Sequence, residues 1–446
     1  MCAKPASGMD DFGIPYDFSA PYLDGVYLAV NAIPDAYLIH DAHDCGYYNA
    51  ERIAAGHDLL SSLMRWEQLN RVVRTNLDSP DYIMGGGDKL SKKLLQVGER
   101  YRPAIMFVAR SNVVIATGHD ATPVIRDLER KLGIPLVLIP DRNVEKDFIA
   151  GYLDALTGLF SHLPSRSRRD DRRSGRRVAV AGYVFDRNEG DQRGNVQEIR
   201  RLLEGIGAEP GPFFLDGAAF ARLSGFPVPG TVVDLASGWD GARTLAERWG
   251  AGYLPTALPV GLEGTAEWLM SVAGHLGLED QARKFVDGEV GELAPMLQWL
   301  LPRYFSGRGV LVFADRLLLP PLVRFLEDLG MLVAGAGCTS AGGGGRAADA
   351  PLPGNPRQVP RRMADLRRFV GDARHAGEVD LIIGNSIIRQ VARGSGVPFV
   401  ELGYPSNFHH VLFPSPYLGF SGVRVLVQRM INAMERPAEE GETGCA

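Results

Sequence analysis

Residues 176–207 read RRVAVAGYVFDRNEGDQRGNVQEIRRLLEGIG. A β-branched apolar run opens the stretch, a turn rich in glycine and charge follows, and an amphipathic helical segment closes it. Strand, tight turn and helix in that order are the repeating unit of a parallel sheet with helices on both faces. The same rhythm returns on either side. Upstream, DAYLIHD (35–41), DYIMGG (81–86), AIMFVA (104–109) and PLVLIP (135–140) read as strands. Helices are expected over 87–101 and 122–133, where apolar residues recur at intervals of three and four. In the same central segment TVVDLA (231–236), AGYLPTALPVG (251–261) and a helix over 264–277 continue the pattern. Downstream, GRGVLVFAD (307–315), LVRFLEDLGMLVAGAG (322–337), EVDLIIGNS (378–386) and VPFVELGYP (397–405) repeat it before a closing helix over 419–434. The fold class is α/β, built from three doubly wound parallel-sheet units.

A chain of 446 residues is too long for one hydrophobic core. The expected division is a first α/β domain over 1–163 that carries the Cys45 turn, a linker over 164–177, a second α/β domain over 178–305, and a third over 306–446 with a C-terminal helix and tail. The linker, PSRSRRDDRRSGRR, breaks all periodicity and reads as solvated chain, with a docking patch for an acidic partner as the rival reading. Residues 337–356, rich in Gly, Ala and Pro, read as a surface loop.

A net charge of −5 gives no electrostatic case for nucleic acid or anionic lipid as the main partner. No segment approaches the roughly 20 consecutive apolar residues of a membrane span, so no membrane partner is expected and the expected location is cytoplasmic. The four cysteines are Cys2, Cys45, Cys338 and Cys445, which form neither a disulfide framework nor a CxxC knuckle. The glycine runs match no phosphate-binding loop, and GGGDKL (85–90) lacks the dinucleotide spacing, so no nucleotide is expected on this chain.

In open parallel sheets, ligands gather beyond the carboxyl ends of the strands, and the turns at those ends hold the candidate chemistry. Gly384, Asn385 and Ser386 follow an apolar run and would offer backbone N–H groups at a helix start to an anion or a buried cofactor; a plain tight turn is the competing reading. His409 and His410 are adjacent, so an extended segment aims at most one of them into a given site, and a packed or solvent-bridged histidine is the competing reading. Cys338 adjoins the low-complexity loop and reads as a structural thiol. Cys45 differs, because His43 and Asp44 beside it are polar while the run before it is apolar, which places it at a strand end. A tetrahedral iron–sulfur site needs four ligands, mostly thiolates, and this chain offers one convincing thiol.

The order of these turns resembles the nitrogenase component 1 superfamily, which includes both subunits of the molybdenum–iron protein, its cofactor-assembly scaffold and the dark-operative chlorophyll-pathway reductases. HDAHDCG (40–46) followed by RTNLDSPDYIMGGGDKL (74–90) is similar to the family's cysteine turn and its TNL…D.I.GG..KL segment. The opening stretch is similar to the family's glycine turn and GN..EIKR.L helix, and LPTALPVGLEGTAEWL (254–269) to P…LP.G…T..FL. DLIIGNS (380–386), VPFVELGYP (397–405) and HHVLFPSPYLGFSGVRVLVQRMINAM (409–434) are close to the family's remaining blocks. The likeness spans roughly residues 20 to 436.

The resemblance implies three Rossmann-like doubly wound parallel-sheet domains around a central cavity. It places Cys45 on the first cluster cysteine, with Asp44 or His43 as auxiliary ligand or neighbour, and implies that Gly384, Asn385, Ser386 and one of His409 and His410 line that cavity, a histidine there serving as proton donor. Two departures shape the expectation. Asp41-Ala42-His43-Asp44 replaces the usual Gly-Pro before the cysteine, and Ser111 and Asn112 stand where the family has a further cysteine. A 4Fe-4S cluster shared with a partner fits this pattern better than an eight-iron one. Leu418 lies near the position of the α subunit's cofactor histidine, so the profile is that of a β-type subunit. The expected partners are an α-like subunit, in an α2β2 heterotetramer, and an ATP-dependent iron protein. A cofactor-assembly scaffold is the first alternative, and a glycosyltransferase or ligand-binding protein of similar architecture the second.

Overall fold

The computed structural model describes residues 20–43, 46–64, 70–84, 87–142, 146–165, 174–340, 356–360 and 362–435. In the first segment β1 (Ala36–Asp41), β2 (Val72–Arg74), β3 (Ile105–Arg110) and β4 (Leu136–Leu138) form a sheet of order β2-β1-β3-β4. In the second, β5 (Arg177–Ala181), β6 (Glu209–Phe213), β7 (Thr231–Asp234) and β8 (Gly252–Pro255) repeat that order as β6-β5-β7-β8. The third joins β9 (Gly309–Ala314), β10 (Leu332–Cys338), β11 (Arg357–Gln358), β12 (Leu381–Gly384) and β13 (Phe399–Glu401) as β11-β10-β9-β12-β13. Every pairing between these strands is parallel. Both strand orders are those of doubly wound sheets, whose order reverses beside the first strand.

The central strands explain the continuous apolar runs. All of β3, β5 and β9 is buried, as parallel strands covered on both faces require. One apolar core runs through all three segments, with smaller cores on the other faces of the first and third sheets. Helix Tyr22–Asn31 lies against helix Phe148–Ser161 with almost no space between backbones: a Cβ on Gly25 would stand 1.7 Å from Phe148 O, and one on Gly151 1.9 Å from Tyr22 O. Only glycine permits that approach. Helix Gly419–Glu435, last in sequence, packs back on helix Gly190–Gly205 of the second segment, where Glu198 accepts from Ser421 N–H at 3.0 Å and from its hydroxyl at 2.8 Å.

Two expectations are corrected, and one strand is added. DYIMGG is not a strand: residues Ser79–Met84 are helical, and Gly85 and Gly86 lie outside the described residues. Asp78 N–H donates to Asp81 Oδ2 at 2.7 Å and Asp81 N–H to Asp78 Oδ1 at 3.2 Å, a reciprocal cap that starts a helix there, with Pro80 in the first turn. EPGPF (209–213), unassigned in the sequence, is β6; its two prolines are tolerated because the strand is an edge. Finally, β5 begins at Arg177, within the stretch expected to be linker, tied by the Arg177–Glu209 pair at 2.7 Å. Residues 166–173 of that stretch, 341–355 of the Gly-rich loop and 436–446 of the tail lie outside the described residues. Among the described residues no helix is long and apolar enough to cross a membrane.

Candidate functional site

Cys45 and Asp44 lie outside the described residues, but both flanks of their turn are in place. At the carboxyl end of β1, Ala42 N–H donates to Thr75 Oγ1 at 3.1 Å, Leu77 N–H to Ala42 O at 3.3 Å, and Ser111 N–H to Asp41 O at 3.1 Å. The Thr75 hydroxyl donates to Asp41 Oδ1 at 2.8 Å, and burial raises the Asp41 carboxyl above its ordinary range. Ser111, which caps the short helix Asn112–Ala116, is therefore held beside the end of β1. His43 is exposed, and helix Gly46–Arg52 starts directly beyond, with Tyr48 68% exposed. The far end of that helix is fixed by an Arg52–Asp24 ion pair, and fully buried Asp24 also accepts from Tyr404 OH at 3.0 Å.

A second constellation lies where the three segments meet. Its centre is the turn after β5. Arg187 Nε donates to both oxygens of Asp191, at 3.0 and 3.1 Å, and Arg187 Nη1 to His409 O at 2.9 Å. Glu189, fully buried, accepts from Leu59 N–H at 3.1 Å, Val411 N–H at 2.8 Å and His410 Nδ1 at 2.8 Å, so one carboxylate joins the first and third segments to helix Gly190–Gly205. His57 is fully buried: Ser406 N–H donates to its Nδ1 at 2.9 Å, which leaves Nε2–H to donate to Asp186 O at 3.0 Å. Burial, aided by Arg187, pushes His57 well below its ordinary pKa, so it is neutral. Arg429 is lowered to about 10 by burial and donates to Glu401 O. Burial and the Arg187 charge act oppositely on Asp186, and burial wins, raising its carboxyl well above the carboxylate range.

Two narrow cavities cross this junction, both bordered by Asp186, Gly403 and Tyr417, and each has room for water molecules rather than an organic ligand. The residues expected to line a central cavity stand beside these two without bordering them. Gly384 ends β12; Asn385 caps the helix Ser386–Ala392 with its own side chain, accepting from Ile387 and Ile388 N–H at 3.1 Å each, and donates to Tyr404 O at 2.8 Å. Ser386 donates to Glu401 Oε1 at 2.8 Å and accepts from Asn407 N–H at 2.6 Å. Of the expected backbone donors, Ser386 N–H is engaged within the chain, donating to Pro405 O at 2.9 Å. The two histidines part company as adjacent side chains must: His410 turns to Glu189, while His409, half-buried near Arg429 and Arg187, is lowered to about 4, first by burial. Leu418 is fully buried, and Cys338 ends β10 with its thiol pushed up by burial and 3.3 Å from Ser340 Oγ. The strand-end rule points to the turn 182–195 as a place for chemistry, but it does not single out Asp186, Arg187 or Glu189 within it, nor His57 and Arg429 elsewhere. The signal available was the density of charge in FDRNEGD after a wholly apolar strand.

A family model described as nitrogenase component 1 type oxidoreductase matches residues 22–435. The chain belongs to that family. Among its relatives, the nitrogenase molybdenum-iron protein beta chain of Clostridium pasteurianum is 22% identical over 382 residues, 79% of this chain and 80% of that protein. The nitrogenase iron-molybdenum cofactor biosynthesis protein NifE of the same organism is 23% identical over 320 residues, 69% of this chain and 65% of that protein. Subunit N of the light-independent protochlorophyllide reductase of Heliobacterium mobile is 23% identical over 272 residues, 56% of this chain and 59% of that protein. The solved structure of nitrogenase Cp1 at pH 6.5 superposes with a TM-score of 0.74 at 18% identity, covering 100% of this chain and 98% of that one, which shows the shared fold. Nitrogenase component 1 relatives at like identity thus include both reductase chains and a cofactor-biosynthesis protein, and identity alone does not separate the two roles.

Proposed function

We propose that this chain is the β-like subunit of a nitrogenase-like iron–sulfur reductase. It pairs with an α-like subunit in an α2β2 heterotetramer and receives electrons from a separate ATP-dependent iron protein. Cys45 is the thiolate this chain contributes to a 4Fe-4S cluster shared across the subunit boundary, with His43 or Asp44 as auxiliary ligand. The observation that carries the reading is the donor set. Of the four cysteines, Cys45 stands in the sequence shortly after β1, at the place the family resemblance gives to the first cluster cysteine. A single thiolate from this chain fits the edge of a cluster whose other ligands come from a partner. When bound, the cluster supplies one-electron transfer. This chain's own part is to hold the thiolate at a fixed place: the Thr75, Ser111 and Leu77 contacts lock the strand end, and the Arg52–Asp24–Tyr404 chain locks the following helix.

The three-sheet junction supports a β-like rather than cofactor-bearing role, because Arg187, Asp191, Glu401 and Arg429 fill the space around it. Similarity to NifE favours a second reading, a scaffold subunit on which a metal cofactor is assembled. Anaerobic co-purification with the partner, followed by iron and sulfide analysis and electron paramagnetic resonance of wild type and Cys45→Ala, tests the shared cluster. Substrate-free electron uptake from the iron protein without release of a metal centre to an acceptor then favours the reductase over the scaffold.

A further inference from the structure

Two short apolar stretches from distant parts of the chain meet at the surface. Leu59 and Leu60 are 52% and 47% exposed, and Leu412 and Phe413 are 72% and 71% exposed. One carboxylate joins the two stretches, since Leu59 N–H and Val411 N–H donate to the two oxygens of Glu189. Neither 59–64 nor 411–423 holds an Asp, Glu, Lys or Arg, in a chain that is 23% charged. Depletion of charge around exposed apolar and aromatic side chains is the composition of an interface core.

These side chains are exposed although the backbone beneath them is fixed. Asp58 Oδ1 accepts from Leu60 N–H at 2.9 Å, and its Oδ2 from Asn188 N–H at 3.0 Å and Asn31 Nδ2 at 2.7 Å. Gly190 N–H donates to Val411 O at 2.6 Å, Ser415 N–H to Gly190 O at 3.0 Å, and Tyr417 and Leu418 N–H to Asn195 Oδ1 at 2.8 and 3.0 Å. A surface already held in shape loses little conformational freedom when a partner covers it.

Size and place together name the occupant. The four side chains expose roughly 450 Å2, as much as the largest patch on a typical monomer. A standard interface buries about 800 Å2 per partner, roughly 60% of it apolar, so this patch supplies most of one apolar core. Leu59 also lies just beyond a continuous helical run, Gly46–Arg52 and Ile53–His57, whose first residue follows Cys45 in the sequence. At about 1.5 Å per residue that run is about 18 Å long, and a standard interface is roughly 30 Å across, so one partner reaches both ends of it. We propose that Leu59, Leu60, Leu412 and Phe413 form the apolar contact surface for the α-like subunit, the chain that completes the Cys45 cluster. In naming that partner the inference rests on the proposed function.

Hydroxyl-radical footprinting of the wild-type chain, alone and with the α-like component 1 chain of the same organism, reads the surface without any substitution. Oxidation of Leu412 and Phe413 should fall to near background in the complex, and also in the Cys45→Ala complex. Leu412→Ser/Phe413→Ser should weaken association roughly 100-fold, while the Tm of the partner-free chain stays within about 1 °C of wild type. An iron-free wild-type complex with both side chains protected would sink the shared cluster and leave this surface standing. Equal oxidation with and without the partner, in an iron-containing complex, would overturn the surface and leave the cluster standing. A wild-type chain that binds no α-like chain overturns both. Protection that grows with concentration in the partner-free chain would assign the surface to a second copy and overturn the proposal as well.

Discussion

Replacing Glu189 by alanine should loosen the joint between the three segments, and the structure sets the size of the effect. The carboxylate is fully buried and accepts from Leu59 N–H, Val411 N–H and His410 Nδ1, with Arg187 3.5 Å away. Its loss strands two backbone donors, each at about 1–3 kcal/mol, and removes one of the two carboxylates that face Arg187. These losses overlap, and the net cost expected is about 4 kcal/mol, in the range found when one partner of a buried ionic network is removed. Glu189→Gln keeps one acceptor oxygen and should cost about half as much. Urea unfolding followed by circular dichroism reads both, and a Tm roughly 4 °C lower is the thermal counterpart. A Glu189→Ala chain within about 1 kcal/mol of wild type would refute the claim that this carboxylate anchors the segment carrying His409 and His410.

Other consequences follow from local geometry. His40 is held near 4 by burial against an ordinary 6.5, so the unfolded chain binds a proton that the folded chain refuses. Its contribution is complete above pH 6.5 and is lost as pH falls toward 4, at up to ~1.4 kcal/mol per unit; urea midpoints across that window should be flatter in His40→Leu, and parallel slopes would reject the assignment. Tyr404→Phe removes the hydroxyl 3.0 Å from Asp24 Oδ2 and should cost about 1–2 kcal/mol by the same denaturant assay. Gly190→Ala would place a Cβ 2.0 Å from Phe413 O and should destabilise by ~3 kcal/mol. Gly288→Ala and Gly291→Ala, in the interior of helix Glu279–Leu300 with nothing within 4 Å of the new Cβ, should each stabilise by about 0.5–1 kcal/mol.

The fold was readable wherever strands are buried on both faces. VAVA, GVLVFA and IMFVA are uninterrupted apolar runs because helices cover each side, and helix Gly87–Tyr101 falls where its period places it. Misreadings arose where local chemistry competes with hydrophobic pattern. The Asp78–Asp81 cap turned an apparent strand into a helix, and β6 was hidden because prolines argue against a strand unless its edge position is known. Cys45 can be proposed from sequence because a lone thiol shortly after an apolar run is a local feature. The Glu189 anchor could not, since its partners Leu59 and Val411 lie far off along the chain and meet it only after three sheets assemble.

The most direct measurement is the electron paramagnetic resonance spectrum of the anaerobically purified, reduced complex, with iron and sulfide counted on the same sample, for wild type beside Cys45→Ala. A reduced-cluster signal in wild type that vanishes or changes form in Cys45→Ala, with loss of iron and sulfide, is the result predicted for a cluster held partly by this chain. A colourless, iron-free wild-type complex, or a signal untouched by the substitution, would contradict it.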